Sequence, residues 1–127
     1  MSTKPIRIRL SRRRGWLMPP NAVSVARPTR WGNPYDVREY GLELSLRLFE
    51  ETARGGWSPA HVAELDEPTA EMLYAAHCAW LKRLGQHPIE SARAELRGKQ
   101  LACWCGLPSA SEQDHCHAAI LLRIANE

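Results

Sequence analysis

The apolar positions change period several times along the chain, and each change marks an element. Ile6-Arg-Ile-Arg-Leu10 alternates apolar and basic residues, the pattern of a half-buried strand. Ser11-Arg-Arg-Arg-Gly15 follows as a basic turn, and the prolines of Trp16-Leu-Met-Pro-Pro20 exclude a helix there. Ala22-Val-Ser-Val-Ala26 reads as a second short strand. Arg27-Pro-Thr-Arg-Trp-Gly-Asn-Pro-Tyr35, with two prolines, a glycine and an asparagine, reads as an irregular loop.

The period then becomes helical. Glu39 to Arg54 places Leu42, Leu46, Phe49 and Ala53 on one face, and Gly55-Gly56 ends the helix. Trp57 to Leu65 is a connection with room for one helical turn. Asp66 is the expected cap of a helix with Pro68 in its first turn. That helix runs through Met72, Ala76, Ala79, Trp80 and Leu84 to Gly85. A shorter helix spans Pro88 to Leu96 and stops at Gly98. Lys99-Gln-Leu-Ala-Cys-Trp-Cys105 reads as a mostly buried strand, and Gly106 to Gln113 as a polar loop. Asp114 or His115 is positioned to cap a last helix, Cys116 to Ala125, with Ile120, Leu121 and Ile124 at helical spacing.

Helices between strands predict the α/β class: a small sheet flanked by helices, in a single compact domain over residues 1–127. Within it, residues 1–38 form a basic half of strands and loop, 39–97 a helical middle, and 98–127 a Cys-x-Cys strand, loop and helix. In such sheets sites collect at the carboxyl ends of the strands, which is where Cys103, Cys105 and the 27–35 loop fall. No apolar run approaches the length of a membrane helix, and the first residues lack the apolar core of a secretory signal. The expectation is a cytoplasmic protein without membrane contact.

The net charge of +3 hides a polarity. Residues 1–38 hold nine basic residues and one acidic residue, Asp36, whereas the remainder holds eight basic and thirteen acidic residues. A basic half of this kind suits an anionic partner such as a nucleotide or nucleic acid.

Of the four cysteines, Cys78 falls in an apolar helical stretch and reads as a core residue. The other three cluster with two histidines. Cys103 and Cys105 are two apart, so on a strand both side chains take one face and Trp104 the other. Cys116 and His117 return at a helix start, with His115 just before. Three thiolates and an imidazole form a soft donor set suited to zinc, with Cys103, Cys105, Cys116 and His117 as ligands. Adjacent residues at a helix start point about 100° apart, which makes His115 the alternative fourth ligand. A competing reading is thiolate catalysis: the helix dipole lowers the pKa of Cys116, and His117 serves as acid or base. Redox pairing of Cys116 with Cys103 or Cys105 is a further reading, and packing alone is the plainest one.

The 27–35 loop carries candidate ligand-binding residues. Arg27 and Arg30 can clamp phosphate, and Trp31 and Tyr35 can stack on a base or sugar. Gly32 allows close backbone approach, and Asn33 can meet a base edge or hold the turn itself.

Three segments together resemble a known family: Arg13-Arg-Gly-Trp-Leu-Met-Pro-Pro-Asn-Ala22, Arg27-Pro-Thr-Arg-Trp-Gly-Asn-Pro-Tyr35, and Leu96 to Cys105 followed by Cys116-His117. The chain is similar over nearly its whole length to the domain of unknown function 4326 family. The resemblance implies a bacterial or phage origin without implying an activity. The C-terminal strand, loop and Cys-His helix also resemble domain of unknown function 488. Two departures stand out: the Gly106–His115 loop is longer than is usual in the first family, and Ala119 occupies a position where its members often carry an acid. The expectation from all of this is a domain that binds a nucleotide or nucleic acid through its Arg/Trp/Asn loop, beside a Cys/His cluster holding zinc or a reactive thiolate. The alternative is a non-enzymatic, zinc-stabilised nucleic-acid-binding or protein-interaction module.

Overall fold

The computed structural model describes residues 5–27, 29–54, 67–84, 87–108 and 114–127. The Gly55-Gly56 stop, the expected turn at Trp57–Leu65, the Asp66 cap, the Gly85 stop and residues 109–113 of the 106–113 loop lie outside these residues.

The architecture is α/β. Strands β1 (Arg7–Arg9), β2 (Ala22–Ser24) and β3 (Gln100–Cys103) form a parallel sheet in the order β1-β3-β2. Leu101 pairs with Arg7 on one side and Val23 on the other, so the last strand in sequence is the central one. This explains its unbroken Leu-Ala-Cys run, buried from Leu101 to Cys103. Because all strands are parallel, Cys103 and the loop after β2 emerge at the same end of the sheet.

Five helices accompany the sheet among the described residues: α1 (Val37–Tyr40), α2 (Leu42–Ala53), α3 (Glu67–Leu84), α4 (Pro88–Glu95) and α5 (His117–Asn126), of which α5 packs on β3 and β1. The core contains Trp80, Tyr35, Phe49, Leu48, Leu73, Leu96, Leu101, Leu121 and Ile124. Trp80 is its hub, meeting Phe49 edge-on at 5.5 Å and Trp31 at 6.4 Å between ring centroids.

Several sequence expectations need correction. The helix expected from Glu39 to Arg54 is two helices, because Gly41 at φ 83° breaks it. Asp36 caps the first, its carboxylate accepting from the Arg38 N–H at 2.9 Å. The buried face of α2 is Ser45, Leu48, Phe49, Thr52 and Ala53, which leaves Leu42 exposed and Leu46 half-buried. The pattern misleads because two buried hydroxyls, each hydrogen-bonded, belong to the inward stripe. In α3 the buried stripe is Leu73, His77, Trp80 and Leu84, so Cys78 is exposed and not a core cysteine. On β1 the alternation is inverted: Arg7 is buried and Ile6 is exposed.

Candidate metal centre

Three sulfur atoms from two distant segments meet at the carboxyl end of the sheet. Cys103 ends β3, Cys105 follows two residues beyond it, and Cys116 is the N-cap residue of α5. Their Sγ atoms all lie within 4.8 Å of one another, and those of Cys103 and Cys105 are 3.9 Å apart. A tetrahedral zinc with bonds of about 2.3 Å separates its sulfurs by about 3.8 Å, so this spacing fits a shared ion. No disulfide links them. Cys103 and Cys116 are buried, whereas Cys105 reaches the surface.

The sulfurs influence one another's charge. The Cys105 and Cys116 thiols stabilise a thiolate on Cys103 and hold its pKa below the ordinary range, against the effect of burial. The Cys103 charge in turn keeps the Cys105 and Cys116 thiols protonated to higher pH, and burial adds to this.

His117 is buried in the first turn of α5, edge-on to Phe49 at 5.3 Å. Its Nε2 lies 2.7 Å from the carbonyl oxygen of Val25. A carbonyl only accepts, so Nε2 is the donor, and Nδ1 is the ring nitrogen left on the side of the sulfurs. Nδ1 stands 3.9 Å from the Cys116 sulfur. His115 is exposed on the same side. Neither Asp114 nor His115 caps α5, as the sequence suggested; Cys116 occupies that position without a side-chain cap bond.

The residue that sequence reasoning missed is Arg7. Its guanidinium takes Asp114 at 2.5 and 3.0 Å and donates to the carbonyls of Cys105 at 2.9 Å and Gly106 at 2.6 Å. It therefore ties the chain after Cys105 to the chain before Cys116. Burial disfavours its charge, but Asp114 and the nearby sulfurs offset this and its pKa is raised. The one signal in the sequence is an arginine at a strand position next to apolar residues, and that pattern reads equally well as solvent-facing.

The 27–35 loop wraps the site from the β2 side, and most of its candidate ligand-binding groups serve the fold. Trp31, Gly32, Asn33 and Tyr35 are buried. Asn33 accepts from the Tyr35 N–H at 2.9 Å and donates to the Ser45 hydroxyl at 2.9 Å. The Tyr35 hydroxyl meets Thr52 at 2.6 Å. The close approach at Gly32 is to its own chain: a Cβ there would stand 2.8 Å from Arg27 Cγ. Arg30 pairs with Glu95. Arg27 donates to the Asn33 carbonyl at 2.7 Å while staying exposed.

A cleft of about 360 Å³ opens over the cluster. The three cysteines, Trp104, both C-terminal histidines, Arg27 and Arg38 line it, together with Asn33, Tyr35, and Leu42 and Leu46 of α2. Among the described residues, no helix is long and apolar enough to cross a membrane.

A family model described as Domain of unknown function (DUF4326) matches residues 8–127. No curated protein and no solved structure matches the chain.

Proposed function

As this chain belongs to the DUF4326 family across residues 8–127, we propose that the domain is a zinc–thiolate protein that binds a nucleotide or nucleic-acid ligand beside its metal. The convergence of Cys103, Cys105 and Cys116 within 4.8 Å carries this reading. These three would supply sulfur, and His117 Nδ1 would complete the set. Its Nε2–H bond to Val25 fixes the ring in the manner usual for a ligating histidine. Bound zinc would supply a Lewis-acidic centre, and a cation that neutralises the sulfur charge.

The chain's own residues do the rest. Arg7 and Asp114 hold the two cysteine-bearing segments together. Arg27, at the cleft rim, offers the rest of its guanidinium to phosphate, with the Asn33 carbonyl accepting from its Nε–H and Gly32 packed closely against it. Arg30, Trp31 and Tyr35 support the loop from within. Exposed Cys105 and His115 face the cleft and any ligand in it.

The test is elemental analysis of protein purified without added metal, followed by cobalt substitution. One metal per chain, with the intense near-ultraviolet sulfur-to-cobalt band that three thiolates produce, is the expected result. Cys103→Ser or Cys116→Ser should abolish both. A metal-free chain with one cysteine alkylated fast at neutral pH would replace this reading with a reactive thiolate, for which Cys103 is the nucleophile favoured by its lowered pKa. Retained metal without binding of any nucleotide or oligonucleotide would leave a zinc-stabilised interaction module.

A further inference from the structure

The alternation that turns Cys103 inward turns Trp104 outward. Its indole is 43% exposed. The guanidinium of Arg12 lies over the ring, 4.7 Å from its centroid. Arg9, Leu10, Ser11, Arg12 and Trp104 line an open hollow of about 600 Å³. Arg13 and Arg14 follow in the exposed turn after β1.

The charge here has no internal use. Arg7 and Arg30 are matched by Asp114 and Glu95. Arg9, Arg12, Arg13 and Arg14 form no ion pair among the described residues, and no acidic residue precedes Asp36 in the chain. Arg9 and Arg12 beside one exposed indole, with Arg13 and Arg14 next in the chain, form a basic surface with a flat aromatic platform.

We propose that this surface binds single-stranded nucleic acid, a base stacking against the Trp104–Arg12 pair and phosphates running along Arg9, Arg13 and Arg14. The occupant follows from the chemistry. Planar stacking on an indole needs an unpaired base, and closely spaced arginines need a repeating anion. An anionic membrane would also attract these arginines and the nearby exposed Leu17 and Met18. A membrane anchor, however, buries its aromatic face in the lipid, whereas here a cation lies across that face. The inference deepens the nucleic-acid half of the proposed function by naming its surface and partner, and it does not depend on the metal.

The experiment is fluorescence anisotropy of a labelled 12-nucleotide oligo-dT and oligo-U with the full chain, at low salt and along a salt series. Trp104→Ala should weaken binding roughly 5- to 100-fold, the range for losing one stacked base, while Trp104→Phe keeps most of it. Replacing Arg9 and Arg13 by Ala should flatten the dependence of log K on log salt by about 0.7 for each phosphate no longer neutralised. Metal content is measured on every variant. Weakened binding by Trp104→Ala at unchanged metal content supports the surface; so does the same loss in a chain found to carry no metal, where the zinc reading alone falls. The proposal is overturned if neither oligonucleotide binds at low salt, or if Trp104→Ala binds like the parent. It is also overturned if phosphatidylserine vesicles bind and the oligonucleotides do not.

Discussion

Asp114 gives both its carboxylate oxygens to the guanidinium of Arg7, a residue 107 positions earlier in the chain, and the same guanidinium reaches the carbonyls of Cys105 and Gly106. One side chain thus closes the ring of segments that brings the three sulfurs together. Its own exposure is 3% and that of Asp114 is 21%, so the pair is largely shielded from water. Arg7→Leu leaves the Asp114 carboxylate and two carbonyls without their donor. It should cost about 3 kcal/mol of unfolding free energy, in the range for breaking a buried pair from one side. Metal affinity should fall about 10- to 100-fold, as when an outer-shell partner is removed. Arg7→Lys restores charge but not the fork and should recover only part of either effect. Denaturant unfolding and competitive chelator titration measure the two; a variant that keeps both parental values would show that Arg7 does not organise the site.

The loop after β2 gives a prediction of the opposite kind. Asn33→Ala removes the acceptor for the Tyr35 N–H and the donor to Ser45. Two buried groups then lose partners, at a cost of about 2 kcal/mol in total. Arg27 keeps its Nε–H bond to the main-chain carbonyl of residue 33, so ligand affinity should follow stability and not fall independently of it. Arg27→Ala should do the reverse: unfolding stays within about 0.5 kcal/mol of the parent, as for most surface changes, while phosphate-bearing ligands bind more weakly. The pair of measurements fails if Asn33→Ala leaves the melting curve unmoved.

How far these relations are legible in the sequence depends on the kind of force involved. Periodicity locates the described elements other than the short α1, because apolar burial writes itself into spacing: the Leu101–Cys103 run is apolar because β3 is central, and α5 shows Ile120, Leu121 and Ile124 on its inner side. The Cys-x-Cys spacing likewise announces the sulfur cluster. Polar burial leaves no such trace. Arg7 reads like a solvent-facing strand residue, Ser45 and Thr52 like the outer side of α2, and Trp31 and Tyr35 like groups available to a ligand. Each is decided by a partner elsewhere in the chain: Asp114 for Arg7, Asn33 for Ser45, His77 for Thr52, Trp80 for Trp31 and Thr52 for Tyr35. Gly41 is readable in principle, since glycine is poor inside a helix. The leucines and phenylalanine that follow it nevertheless keep the helical period strong enough to hide the break.

The two C-terminal histidines separate cleanly by experiment. His117 is buried with its Nε2 on the Val25 carbonyl, and its Nδ1 faces Cys116. His115 is exposed at the cleft. His117→Ala should therefore lower metal affinity and also destabilise the fold, by about 2 kcal/mol from the missing hydrogen bond and ring packing. His115→Ala should leave metal stoichiometry and unfolding unchanged. Cobalt spectra of the two variants decide the ligand set: a changed visible band for His115→Ala, with an unchanged one for His117→Ala, would exchange their roles.

Alkaline stability should carry the signature of Tyr35. Burial is the main reason its phenol pKa is pushed up to about 12 from 10.0; the Thr52 hydrogen bond opposes the rise, and Cys78, Glu51 and Tyr40 add to it. A group whose folded pKa lies above its unfolded value stabilises the fold fully below the unfolded pKa and loses that contribution as pH climbs through the folded one. The window here runs from about pH 10 to pH 12, and a two-unit shift corresponds to a loss on the order of 2–3 kcal/mol across it. Tyr35→Phe keeps the ring in the core but drops the hydroxyl that meets Thr52, so it should lower stability at neutral pH by about 1 kcal/mol and flatten the alkaline decline. The difference between the two unfolding curves isolates Tyr35, because Tyr40 and Tyr74 are present in both. Parallel curves from pH 9 to pH 12 would mean that the phenol ionises as freely in the folded chain as in the unfolded one.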